Sequence, residues 1–214
     1  MTVNQPLAFE HVFVPAAEAN VTLLLLHGTG GNESDLLPLG KMISPGASLL
    51  SPRGKVLEHG MPRFFRRLAE GVFDEDDVRS RAHELADFVE AARKDYGLAS
   101  PVALGYSNGA NIAAAVLLLR PQVLAGGVLL RAMAPLQSST AAGGLAGKAV
   151  LIASGARDPI AMPANAERLK AMLEQAGAQV DHRILPTGHE LSRDDVDLAR
   201  VWLQAQDAAL PAVP

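Results

Sequence analysis

Short apolar runs recur along the chain and predict the strands of one sheet. Each is followed closely by glycine, serine or proline, and they are Val21–Leu26, Ala47–Leu50, Val102–Leu104, Gly127–Leu130, Val150–Ala153 and Val180–Leu185. Most are continuous rather than alternating, which is typical of parallel strands that are covered on both faces. Leu7–Val14 is predicted as a leading strand, with an antiparallel edge of the sheet as one option.

Helical patterns lie between these runs. Asp77–Tyr96 places apolar residues at helical spacing with charges on the opposite side. Asn108–Arg120 is almost entirely apolar, which predicts a buried helix, and two further helices are predicted over Ala164–Ala176 and Ser192–Gln206. The alternation of strands and helices predicts βαβ units and a mostly parallel sheet, that is, an α/β fold.

Two segments do not fit this alternation. Residues 51–77 hold prolines, glycines, phenylalanines and arginines without a clear period, and long irregular segments in compact domains are often functional. We therefore predict a substrate-facing loop there. Residues 207–214 are expected to form a flexible tail, and the whole chain, 1–214, is expected to be a single domain.

Composition narrows the classes of function. The chain has 214 residues, of which 49% are hydrophobic and 20% charged, so it can bury a large core. A net charge of −4 gives no basic field for nucleic acid, and the lack of cysteine excludes disulfides, thiolate metal sites and a cysteine nucleophile. No lysine or arginine precedes Lys41 and no apolar run is long enough for a membrane span, so we expect a cytoplasmic protein.

A serine lies in a strand–turn–helix context that suits a nucleophile. Gly105-Tyr106-Ser107-Asn108-Gly109 follows a predicted apolar strand and opens a predicted buried helix. In this G-x-S-x-G context a sharp turn lifts the serine hydroxyl out of the sheet, and the glycines remove side chains that would collide. The alternative is a serine that only caps the helix.

A base and an acid can be assigned by elimination. Nucleophile elbows of this kind are followed by the acid and then the histidine in chain order. Of the two later histidines, His182 lies within a predicted strand, whereas His189 lies in the loop that leaves it. Among the acids between Ser107 and His189, Asp158 alone lies on a loop just beyond a predicted strand. This predicts a Ser107–His189–Asp158 triad.

The glycine-rich turn His27-Gly28-Thr29-Gly30-Gly31 follows another strand. It matches neither phosphate-binding pattern, because no lysine follows it and Glu33 occupies the last glycine position of the dinucleotide motif. We interpret it as one side of an oxyanion hole, with backbone N–H groups from Thr29 and from Asn108. His27 is interpreted as a structural residue that holds the turn.

These motifs resemble those of the small bacterial carboxylesterase/phospholipase family of α/β-hydrolases, related to acyl-protein thioesterases. The segments that carry the likeness are Leu24–Glu33, Gly105–Ala110, Ser154–Ile160, Pro186–Glu190 and, around the substrate-facing loop, Ser51–Gly54 and Met61–Phe65. The resemblance covers about residues 10–205. It implies a central sheet with helices on both faces, no large lid domain, the same triad, hydrolysis of carboxylic or thio esters, no cofactor or metal, and frequent homodimers.

The expected substrate is a small-molecule carboxylic ester with a short to medium acyl chain. Thioesters and lysophospholipids are further candidates. Phe64, Phe65 and Met133 are the candidate substrate-binding residues, and the alternative for the two phenylalanines is that they are core residues beneath the loop. Two other classes of function stay open. The same triad could serve an acyltransferase or perhydrolase, in which another nucleophile replaces water. The fold could also belong to a binding protein without catalysis. A complete triad argues against this second alternative, because a binding protein has no need of all three residues.

Overall fold

The protein is described from a computed structural model that defines residues 7–16, 21–138 and 143–209. The strands are β1 (His11–Val14), β2 (Thr22–Leu26), β3 (Ser48–Pro52), β4 (Val56–Glu58), β5 (Met61–Arg63), β6 (Arg67–Ala69), β7 (Val72–Phe73), β8 (Val102–Tyr106), β9 (Gly126–Leu130), β10 (Ala149–Gly155) and β11 (Gln179–Leu185). The helices are α1 (Leu37–Ile43), α2 (Glu75–Tyr96), α3 (Asn108–Leu119), α4 (Pro163–Gln175) and α5 (Arg193–Ala209).

Seven strands form the central sheet in the order β1-β3-β2-β8-β9-β10-β11. All neighbouring pairs are parallel except β1 and β3, which are antiparallel. The prediction of a mostly parallel sheet is confirmed, and the leading strand is its antiparallel edge. The carboxyl ends of the parallel strands share one edge of the sheet, where open α/β sheets carry their functional loops.

Helices cover both faces of the sheet, as the continuous apolar strands predicted. On one face α2, α3 and α4 pack against strand residues such as Leu24, Ala103 and Ile152. On the other face α1 and α5 pack against the alternate strand residues, including Leu25 and Leu151. Because β2 is buried at every position, its residues after Thr22 are four consecutive leucines, a continuous apolar run in the sequence.

The prediction of an irregular loop over residues 51–77 is wrong in its local structure. Its ends belong to β3 and α2, and between them lie two small antiparallel hairpins, β4–β5 and β6–β7. His59 and Gly60 both have positive φ, 50° and 80°, as a two-residue hairpin turn requires. Strands of two or three residues are too short to show a period in the sequence, and α1, with seven residues, was missed for the same reason.

The last helix extends beyond its predicted end. α5 continues to Ala209, so the first part of the segment expected to be a flexible tail, 207–214, is helical, and residues 210–214 lie outside the described residues. Within the described ranges, no helix is both long and apolar enough to cross a membrane.

Candidate active site

Ser107 lies at the sharp turn between β8 and α3. Its backbone has φ of 52° and ψ of −114°, and its N–H donates to Leu130 O at 2.9 Å. A Cβ on Gly109 would lie 1.9 Å from Leu26 O, and one on Gly105 would lie 2.7 Å from the backbone of α3. Both glycines are therefore needed for the close approach of the helix to the strands, which explains the G-x-S-x-G spacing.

Ser107, His189 and Asp158 form one hydrogen-bonded chain. The Ser107 hydroxyl lies 2.9 Å from His189 Nε2, and His189 Nδ1 lies 2.8 Å from Asp158 Oδ2. The other carboxylate oxygen of Asp158 accepts from the backbone N–H groups of Ile160 and Ala161 at 2.8 and 2.9 Å. The Asp158 side chain is fully buried, whereas that of His189 is 18% exposed. The imidazole is thus oriented from one side and open to solvent on the other.

A second chain of serine, histidine and a carboxylate, here a glutamate, exists elsewhere in the protein. Ser154 Oγ lies 2.9 Å from His182 Nε2, and His182 Nδ1 lies 2.8 Å from Glu167 Oε1. Ser154, however, is inside the regular strand β10 and only 1% exposed, so a substrate has no access to its hydroxyl. This network could not be predicted from the sequence, because Glu167 lies in a predicted helix and His182 in a predicted strand, and no local pattern joins the two.

His27 holds the glycine-rich turn in place. Its Nε2 accepts from the Gly54 N–H at 2.9 Å, and its Nδ1 lies 2.7 Å from Gly28 O, to which it donates. Burial lowers the pKa of His27 below 6.5, which keeps the ring neutral and able to accept at Nε2. The imidazole therefore joins the turn after β2 to the segment after β3.

Thr29 is exposed and is fixed through its side chain by Arg63. Arg63 Nη1 donates to Thr29 Oγ1 at 2.7 Å, and its Nε donates to Phe65 O at 3.2 Å. The guanidinium is buried, pairs with Glu58 at 3.1 Å, and has its pKa lowered by burial. Arg63 thereby connects the β4–β5 hairpin to the turn that carries Thr29.

Arg66 and Arg67, the two arginines that follow Phe65, lie at the surface of the hairpins. Arg66 donates to Asp74, and Arg67 donates to Glu58 at 2.8 Å. Neither bond involves the glycine-rich turn. Arg63 is thus set apart from its two neighbours by its contact with Thr29.

Asn108 begins α3, where the first N–H groups of a helix have no partner within the helix. Its side chain is buried, and its Oδ1 accepts from the Phe64 N–H at 2.8 Å. Asn108 Nδ2 is buried without a hydrogen-bond partner among the described residues. The side chain is thus held from the β4–β5 side, which fixes the first turn of the helix next to Ser107.

Phe64 and Phe65 belong to the core, which corrects the expectation that they bind substrate. They are 3% and 0% exposed, and their rings pack against His27 and Phe73 at centroid distances of 4.7 and 5.1 Å. Met133 is also buried, just beyond β9, and its N–H donates to Asn111 Oδ1 at 2.7 Å. Two phenylalanines shortly after a proline look the same in the sequence whether they line a substrate pocket or fill the core beneath a hairpin.

A cavity of about 460 Å³ opens beside the triad. It is lined by Gly28, Thr29, Gly31, Asp35, Leu36, Tyr106, Glu190 and Leu191. Its charged lining consists of two carboxylates, Asp35 and Glu190, and its apolar wall is formed by two leucines. No group of three histidine, aspartate or glutamate side chains in the described ranges has the geometry to hold a metal ion.

Comparison with known proteins gives a consistent result. A family model described as phospholipase/carboxylesterase matches residues 7–206. The putative hydrolase MhqD of Bacillus subtilis is 44% identical over 195 residues, which cover 90% of this chain and 96% of that protein. Among solved structures, a Bacillus cereus carboxylesterase is 48% identical with a TM-score of 0.89, covering 92% and 94% of the two chains. A carboxylesterase from Mesorhizobium loti is 36% identical with a TM-score of 0.83, covering 87% and 90%.

Proposed function

The chain belongs to the phospholipase/carboxylesterase family, and from this we propose a serine esterase that acts through Ser107, His189 and Asp158. Membership makes it an esterase-type hydrolase of the α/β-hydrolase fold. The observation that carries the specific proposal is the hydrogen-bonded chain from Ser107 Oγ through His189 to Asp158. Nucleophile, base and orienting acid need this connectivity for acyl transfer.

The proposed reaction is hydrolysis in two steps. His189 Nε2 takes the proton of the Ser107 hydroxyl as the oxygen attacks the ester carbonyl carbon. The tetrahedral intermediate collapses, the C–O bond to the alcohol breaks, and His189 returns the proton to the leaving alcohol. Water, deprotonated by His189, then attacks the acyl-enzyme and releases the carboxylic acid and free Ser107. Asp158 stabilises the imidazolium that forms in each step.

We assign the oxyanion hole to the backbone N–H groups of Thr29 and Asn108. The Asn108 N–H belongs to the free N-terminal end of α3, where the helix dipole also favours negative charge. The Thr29 side chain is held by Arg63, and the adjacent Gly30 N–H donates to Pro62 O at 2.9 Å. The turn is therefore held by the β4–β5 hairpin, which supports a preformed donor geometry.

The proposed substrates are neutral carboxylic esters with short to medium acyl chains, and thioesters and lysophospholipids are further candidates. The cavity beside the triad has a volume of about 460 Å³, which suits a small ligand. Met133 remains a candidate for the acyl wall because it lies just beyond the carboxyl end of β9, at the edge of the sheet where Ser107 lies. Residues 51–77 would contribute through the hairpins rather than through Phe64 and Phe65.

The test is a panel of p-nitrophenyl esters from acetate to dodecanoate, run beside thioesters and lysophospholipids. We expect faster turnover of the acetate to hexanoate esters than of the dodecanoate. Ser107→Ala should lower kcat by several orders of magnitude, about 10⁴-fold or more. The matched control is Ser154→Ala. It removes the serine of the buried Ser154–His182–Glu167 chain and should keep the wild-type rate.

Three outcomes would contradict the proposal. Equal loss of turnover in both serine variants would mean that Ser107 has no special role. Acyl transfer to added alcohol or peroxide in preference to water would instead indicate an acyltransferase or perhydrolase, and no turnover with any ester would favour a binding protein.

A further inference from the structure

A buried arginine outside the triad holds the loop that carries His189. Arg131 follows β9 directly, has φ of 56°, and its side chain and that of Asp195 are both 0% exposed. The two side chains form a bidentate ion pair, with Nη1 and Nη2 at 2.7 and 2.8 Å from the two carboxylate oxygens. Two fully buried charges need further hydrogen bonds to offset the loss of water, and these bonds show what the pair does.

The remaining donors of Arg131 point to the backbone around His189. Its Nε donates to Gly188 O at 2.8 Å and its Nη2 donates to Glu190 O at 3.0 Å. Nη2 also lies 3.0 Å from Thr187 Oγ1. One guanidinium therefore binds the carbonyls of the residues immediately before and after His189.

The same arginine is anchored to the rigid part of the fold. Its backbone N–H donates to Ala153 O at 2.8 Å, and its Nη1 lies 3.2 Å from the same carbonyl. Asp195, in the first turn of α5, also accepts from Ser192 N and Ser192 Oγ at 2.8 and 2.9 Å. The pair thus ties the loop of His189 to β10 on one side and to α5 on the other.

We propose that Arg131 is a positioning residue for the proposed reaction, and that with Asp195 it fixes the His189 loop so that Nε2 meets Ser107. Neither side chain touches the reacting atoms. A base that drifts by about 1 Å loses on the order of 10²-fold in rate, so a clamp on both neighbouring carbonyls has a direct effect on catalysis. A merely structural ion pair would stabilise the fold without changing the chemical step.

The decisive variant replaces the pair by apolar residues of similar size, Arg131→Met with Asp195→Leu. Such replacements often preserve stability, because they remove the cost of burying two charges. We expect a folded protein with a melting temperature near that of the wild type, a kcat lower by about 10–100-fold and a KM within about twofold. Arg131→Lys, which keeps the charge beside Asp195 but cannot reach both carbonyls, should show the same split between kcat and KM.

The matched control is Arg120→Met, which removes a partly exposed arginine that bonds Asp87 and Glu90 away from the triad. It should lower stability without lowering kcat. A folded double variant, or a folded Arg131→Lys variant, with wild-type kcat would overturn the proposal, as would a change in KM alone. If the double variant fails to fold, Arg131→Lys decides.

Because this inference rests on the proposed function, the two must be able to fail separately. A wild-type protein that turns over no ester would end the proposed function alone. The clamp would then be tested by crystal structures of the same variants, in which we expect the distance from His189 Nε2 to Ser107 Oγ to exceed the 2.9 Å of the native chain. An unchanged distance in the variants would contradict the clamp alone.

Discussion

At the scale of single residues, the site depends on side chains that hold the backbone of its turns and loops in place. Ser107 keeps a φ of 52°, a conformation that costs a residue with a Cβ about 1–3 kcal/mol and persists only where the surroundings enforce it. His27, Arg63 and Arg131 hold the backbone of the loops around the triad, each from a buried position. None of the three is expected to touch the substrate, so each should affect stability or geometry in its own way.

His27 should make the stability of the fold depend on pH. Burial lowers its pKa in the folded state below 6.5, so the unfolded chain binds more protons between the two pKa values. The stability that neutral His27 contributes is therefore fully present above pH 6.5 and is lost as the pH falls through the folded pKa. His27→Gln, which can still accept from Gly54, should flatten this slope and cost about 1 kcal/mol at neutral pH.

Urea denaturation at several pH values above and below 6.5 measures this slope. His83→Gln, at an exposed position of α2, is the control for the loss of one imidazole. Identical pH slopes for the wild type and His27→Gln would show that His27 is not the group responsible.

Arg63 should act on catalysis through Thr29. Arg63→Lys loses the donor to Thr29 Oγ1, and Thr29→Val removes the acceptor while it keeps the backbone N–H. Each is expected to lower kcat on a short-chain ester by about tenfold, and the double variant should be no worse than either, because both break one contact. Arg67→Lys is the control, since Arg67 shares the partner Glu58 but makes no bond to Thr29. Additive losses in the double variant would show that the two residues act independently.

At the scale of elements, the length of a strand or helix decides whether the sequence predicts it. Runs of three to six mostly apolar residues predicted the parallel strands of the central sheet, and Leu24 and Ile152 are buried as expected. Hairpins with strands of two or three residues gave no period, so residues 51–77 looked irregular. The triad could be predicted because few histidines and acids lie on the loops that follow predicted strands. The role of Arg131 could not be predicted, because its partners lie up to 64 residues away along the chain.

The junction of β8 and α3 should tolerate no side chain at Gly109. A Cβ there would lie 1.9 Å from Leu26 O, and a backbone oxygen in the central strand β2 has no room to move. Gly109→Ala is expected to destabilise the protein by about 3 kcal/mol or more, measured by urea denaturation. Gly46→Ala, where nothing lies within 4 Å of the new Cβ, is the control and should be nearly neutral. Equal stability of the two variants would mean that α3 does not pack against β2 as described.

At the scale of the whole molecule, a net charge of −4 and two carboxylates in the cavity should select against anionic esters. Asp35 and Glu190 line the cavity, and among the residues that the structure describes no cationic side chain does. We expect kcat/KM for p-nitrophenyl butyrate to exceed that for the anionic p-nitrophenyl hemisuccinate by about fivefold or more, equivalent to about 1 kcal/mol. Added salt should reduce the ratio, because it screens the carboxylates.

Glu190→Gln tests the source of this selection. This variant should lower the ratio of kcat/KM for the neutral ester to that for the anionic ester. The backbone carbonyl of residue 190 can still accept from Arg131. Asp95→Asn, near the end of α2 and before the start of β8, removes the same charge far from the cavity and should leave the ratio unchanged. A ratio that Glu190→Gln and salt both leave unchanged would place the cause outside the cavity.

The most direct test of Ser107 as the nucleophile is the identity of the residue that a fluorophosphonate probe modifies. The protein is incubated with the probe, digested, and the adduct located by peptide mass spectrometry. We expect one adduct, on Ser107, that is absent from Ser107→Ala and forms much more slowly in His189→Ala. An adduct on Ser154, or no adduct on a protein that hydrolyses esters, would contradict it.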